Sequence, residues 1–77
     1  MEPIIKIVKP FSYISIIKIY SPKIKKINAI SFLIKIDDNF INIDLFNDGA
    51  WQDTVILKKY PIEVLNLIVE EIKFLYL

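Results

Sequence analysis

The sequence contains no histidine, no cysteine and no arginine, and it has a single glycine. Each absence removes a kind of chemistry. Without histidine there is no side chain whose ordinary pKa lies near neutrality, so proton transfer at physiological pH has no natural agent. Without cysteine there are no disulfides, thiolate nucleophiles or cysteine metal sites. Without arginine there is no planar guanidinium to clamp a phosphate or carboxylate in bidentate fashion. A lone Gly49 cannot build either of the glycine-rich loops that cradle phosphates. The expectation is a non-enzymatic protein with no cofactor and no metal.

Long apolar runs are also missing. The longest is Phe74 to Leu77, against the roughly 20 residues a membrane helix needs, so no membrane association is expected. The opening Met1-Glu2-Pro3 has no basic segment, and Lys6 and Lys9 interrupt the apolar stretch that follows it. No secretory leader is expected, and the cytoplasm is the expected location.

Carboxylates are what remain for site chemistry. Asp37, Asp38, Asp44, Asp48 and Asp53 fall around two turns. A calcium loop with Gly49 at its sixth position would start at Asp44, but Phe46 and Val55 then occupy the third and twelfth positions, where oxygen ligands are required. The five aspartates read instead as solvated turn acids. Alternatively they form an acidic surface that imitates phosphates in a partner's nucleic-acid groove.

What is abundant is isoleucine, with eighteen residues in a 77-residue chain that is 55% apolar. One domain, residues 1–77, is expected, and a chain this short buries only roughly 60–65% of its unfolded surface. That core is too small for so many large side chains. The surplus points to a second chain covering part of the surface, either a partner or another copy in a homodimer.

Net charge is +1, yet residues 1–36 hold seven lysines and one acid while residues 37–77 hold three lysines and eight acids. Two outcomes are open. Strands from the two halves pair their charges across a sheet, or the halves become a basic and an acidic face that steer a partner.

The pattern along the chain centres on residues 27–46. Ile30, Phe32, Ile34 and Ile36 alternate, as do Ile41, Ile43 and Leu45, around a polar Asp37-Asp38-Asn39 turn; this predicts a hairpin. Ile4–Val8 predicts an edge strand ended by Pro10, and Tyr13–Tyr20 a strand with both faces partly covered. A loop carrying Lys23, Lys25 and Lys26 follows. Asn47-Asp48-Gly49 is the strongest turn signal, and Trp51–Leu57 predicts the last strand. Pro61 and Glu63 suit a helix start, and Leu65, Ile68, Ile72 and Leu75 recur at helical spacing. The expected fold is α+β: an antiparallel β-meander of four to five strands with one C-terminal helix packed on one face. The expected core is Phe32, Ile34, Ile43, Val55, Leu65, Ile68 and Ile72.

The expected function is a small protein-binding module that occupies a partner's surface as an inhibitor or adaptor and self-associates. Phage and mobile-element inhibitors of host defence nucleases, including anti-CRISPR proteins, share this size and lack of catalytic equipment. Candidate interface residues are Trp51, Tyr60, Leu67, Phe74 and Tyr76, since exposed aromatic side chains make effective anchors and the apolar arc of the helix is wider than one sheet face demands. The alternative is single-stranded nucleic-acid binding by the basic N-terminal half, with Tyr13 and Tyr20 as stacking platforms beside Lys18, Lys23, Lys25 and Lys26.

Overall fold

The two alternating segments at the centre of the chain do form a hairpin, and the rest of the sheet is assembled on it. The computed structural model describes residues 2–22, 24–53 and 60–76. Its strands are β1 (Pro3–Phe11), β2 (Ile14–Tyr20), β3 (Ile24–Lys25), β4 (Ala29–Ile36), β5 (Asn39–Phe46) and β6 (Trp51–Asp53), followed by one helix, α1 (Ile62–Tyr76). The sheet runs β1-β2-β4-β5-β6, every pairing antiparallel, with the two-residue β3 also on β4. This is the expected α+β meander with a C-terminal helix.

Alternation decides which side chains meet the helix. Ile17, Ile19, Ile34, Ile36, Ile41 and Ile43 lie on one face of the sheet with Phe32, all buried. Val64, Leu65, Ile68, Val69 and Ile72 of α1 close that face and join the same core. Six of the seven expected core residues are there; Val55 lies outside the described residues. Pro61 precedes the first helical turn: its carbonyl accepts from the Val64 and Leu65 amides, and its missing N–H costs nothing at that position.

Four expectations need correcting. The first strand runs on through Pro10 to Phe11, because a register shift between Val8 and Phe11, with Lys9 at φ 47°, absorbs the irregularity on an edge strand. The central turn is two residues, not three: Asn39 already pairs with Ile36, and Asp37 takes the left-handed conformation at φ 51°. The lysine loop contains β3, too short to carry any periodic signal. Ile14 leaves the alternation of β2 and joins the core.

The β5–β6 turn is the one place where glycine is required. Gly49 sits at φ 90°, its amide donates to the Phe46 carbonyl, and the Phe46 amide donates to Ala50. The last strand is described as Trp51–Asp53; Thr54, Ile56, Leu57 and the rest of its expected span lie outside the described residues.

Candidate functional site

The helix covers one face of the sheet, and the opposite face carries the other phase of each strand, a mixture of charged, polar and apolar side chains. Register brings three lysines together there. Lys6 of β1 stands directly opposite Lys18 of β2, and Lys18 directly opposite Lys35 of β4. With strands about 4.8 Å apart, the three stems form a row roughly 10 Å long across the sheet. Phe40 of β5 extends the row, with Lys35 Nζ 5.5 Å from its ring centroid.

Apolar side chains border the row on both sides. Towards the β1–β2 turn the next pair is Val8 and Ile16, with Val8 69% exposed. In the other direction stand Tyr20 and Leu33, with Ile4 exposed on β1. Like charges directly opposite one another cost stability. No carboxylate among the described residues forms an ion pair with Lys6, Lys18 or Lys35; the ion pair found there joins Lys26 and Asp44.

Asp44 is itself on this face, paired across the sheet with Ser31 and Gln52. It is 4% exposed. The Ser31 hydroxyl donates to Oδ1, and Lys26 Nζ donates to Oδ2 at 3.0 Å. The Ser31 hydrogen bond chiefly, with help from Lys26 and Gln52, holds its carboxyl below the usual value against the opposing effect of burial. This acid is a structural tie between β4, β5 and the chain entering β4.

Of the two outcomes open for the charge asymmetry, the pairing of the two halves is represented among the described residues by Lys26 and Asp44. The three lysines of the row face one way. The exposed carboxylates Glu63 and Glu70 belong to α1, on the other layer of the molecule.

The remaining aspartates do not form one acidic surface. Asp37 Oδ1 accepts from the Ser15 and Ile16 amides at 3.0 Å each, fastening the hairpin turn to β2. Asp48 Oδ1 accepts from the Ala50 amide in the next turn. Those two turns lie at opposite ends of β5, eight residues and roughly 25 Å apart. Asp53 is opposite Ile43 and partly buried, so Asp38 and Asp48 are the freely exposed members. Among the described residues no three potential metal ligands are grouped.

The five expected interface residues separate into two kinds. Trp51, Tyr60 and Leu67 are partly buried and pack against the core. Trp51 pairs with Leu45 in the phase that faces the helix. Burial pushes the Tyr60 phenol up, opposed by Asn39 and reinforced by the charge of Asp37. Phe74 and Tyr76 are exposed at the end of α1 beside Leu75, and Phe74 at 87% is the most open of the three. Tyr76 also rests edge-on against Phe32, centroids 5.2 Å apart.

The residues of the nucleic-acid alternative are dispersed. Tyr20 is buried and Tyr13 is at the far end of β2, where its hydroxyl donates to Glu63 at 2.6 Å; that bond raises its pKa. Lys26 is tied to Asp44, Lys25 is exposed on β3, and Lys23 lies outside the described residues. Lys18 alone belongs to the row. Its partners Lys6 and Lys35 were missed, because cross-strand neighbours depend on register and not on sequence spacing.

A recess of about 200 Å³ beside Tyr13, Asp37 and Tyr60 is smaller than the roughly 300–1,000 Å³ typical of small-molecule sites, and an open one of about 350 Å³ beside Lys9, Phe11 and Ser15 falls at the low end of that range. No helix among the described residues is long and apolar enough to cross a membrane. The fold defines a two-layer α+β protein in which α1 packs on one sheet face; the opposite face buries Tyr20 and Asp44 and carries no helix among the described residues. Comparison with protein-family models, with curated proteins and with solved structures found no match.

Proposed function

We propose that this protein is a non-enzymatic binding module that acts by occupying the surface of a partner protein, as an inhibitor or adaptor. The observation that carries the reading is the sheet face opposite α1. It combines a lysine row that has no ion-paired carboxylate among the described residues with exposed Val8, Ile4 and Phe40, a mixture of apolar contact and charge of the kind found where proteins meet. The absence of histidine, cysteine and arginine supports a role without catalysis. The setting proposed for it is that of the small phage and mobile-element proteins that block host defence nucleases such as CRISPR effectors. That part rests on analogy of size and composition.

Self-association is the second part of the proposal, and it falls to the end of α1. Phe74 and Leu75 project from the helix, and a copy seated on them would remove about 100–200 Å² of apolar surface per chain from water. The test of the binding reading is affinity capture from a cytoplasmic lysate, with and without nuclease. A Lys6→Gln/Lys18→Gln/Lys35→Gln variant and a Phe74→Ser variant run alongside. A stoichiometric protein that survives nuclease and is lost with one of the variants supports the proposal. Nucleic acid as the sole captured material contradicts it and favours the single-strand-binding alternative.

A further inference from the structure

We propose that the lysine row and its exposed borders on the sheet face opposite α1 are the docking site for an acidic amphipathic helix of a partner protein, lying across the strands along the row. The proposal rests on the reading of the chain as a protein-binding module and names the chemistry of the partner.

Charge comes first. Three ammonium groups stand in line with no ion-paired carboxylate among the described residues, and Asp44, on the same face, is already engaged. An occupant of this face must be anionic along a line about 10 Å long. Carboxylates at positions i, i+4 and i+7 of a helix lie 5–6 Å from one to the next, close to the strand repeat of about 4.8 Å. Two helical turns therefore meet all three lysines. The twist of the sheet limits contact to about that length.

Width comes second. Rows on one face are two residues apart along each strand, about 6.7 Å, so the lysine row and its two apolar borders span roughly 13 Å. A helix with its side chains is about 10–12 Å across. Its acidic line covers Lys6, Lys18 and Lys35, while apolar residues on either flank cover Val8 with Ile16 on one side and Leu33 on the other, where Ile4 is exposed at the register shift of β1. A strand laid parallel to the sheet strands would meet one lysine only.

Nucleic acid fits less well. Its bases need stacking platforms, and the exposed aromatic ring on this face is Phe40, already under Lys35. The apolar borders would then be left without a partner.

The test uses the intact protein and a fluorescein-labelled helical peptide with a glutamate line flanked by leucines, read by anisotropy. A peptide with glutamine in place of the glutamates, a single-stranded oligonucleotide and anionic lipid vesicles are the competing probes. The acidic peptide is expected to bind, to weaken as salt is raised, and to lose roughly tenfold or more in affinity to the triple Lys→Gln variant. A Val8→Ser/Ile4→Ser variant, which keeps the charges, is expected to weaken it severalfold. Equal binding by the parent and the triple variant overturns the proposal, as does no binding at low salt. Oligonucleotide or vesicles binding more tightly than the peptide, with the same lysine dependence, assigns the face to a polyanion and overturns it too. If the peptide fails while a captured protein is lost with Phe74→Ser, the module reading survives and only the helix-docking proposal falls.

Discussion

Replacing the central lysine of the row should make the protein more stable. Lys18 has a like charge directly opposite on both sides, Lys6 and Lys35. Each repulsion between directly opposed like charges is taken at roughly 0.5 kcal/mol, the middle of the range for cross-strand pairs. Lys18→Gln removes both and should stabilise by about 0.5–1 kcal/mol at low salt. Lys18→Glu turns two repulsions into two attractions and should gain about twice that. For a domain of this size the gain from Lys18→Gln corresponds to a rise in Tm of roughly 2–8 °C. Thermal unfolding followed by circular dichroism at about 10 mM and about 500 mM salt checks the reasoning, because the gain should shrink as the charges are screened. An unchanged or lowered Tm at low salt, or a gain indifferent to salt, would refute the claim that the row is electrostatically strained. A stability cost in a row with no ion-paired carboxylate among the described residues is what a binding face for an anionic partner would show.

Three other outcomes follow from the packing. Phe32→Ala, which opens a cavity at the centre of the core and strips Tyr76 of its ring contact, should cost about 3–5 kcal/mol, a large share of the total stability of a 77-residue chain, as read by urea unfolding. Asp37→Ala removes the acceptor for two amides at a left-handed position and should cost about 1–2 kcal/mol, whereas Asp37→Asn keeps an acceptor and should cost less than half as much. The Asp44 carboxyl titrates lower folded than unfolded, so its ionised form adds stability above the ordinary value of 3.8, and that contribution is lost as pH falls through the folded value. Asp44→Asn should therefore destabilise by about 1–2 kcal/mol at pH 7, and the gap to the parent should narrow below about pH 4; a gap independent of pH would mean that folding does not lower the titration of this carboxyl.

Much of the fold was legible because alternation is a local signal. β4 and β5 show it over eight residues each, and the wide apolar stripe of α1 left little choice of partner. Pro10 misled because its rule concerns paired strands, and on an edge with a bulge the missing N–H has little to disturb. β3 is two residues long and could not announce itself. The site was the least legible part. Lys6, Lys18 and Lys35 each occupy the outward phase of their own strand, but only the register of β1 on β2 and β2 on β4 makes them one row. The same dependence on three-dimensional placement separated the aspartates, since consecutive turns of a meander lie at opposite ends of the strand between them. Trp51 and Leu67 were claimed by the core because a helix on a narrow sheet needs flanking side chains to seal its edges.

The most direct measurement is to capture partners from lysate on the parent protein and on the Lys6→Gln/Lys18→Gln/Lys35→Gln variant in parallel, both treated with nuclease. The account predicts that the parent retains a stoichiometric protein and that the variant, folded and at least as stable, does not. The same protein on both, or none on the parent, would contradict the claim that the sheet face opposite α1 is the binding surface.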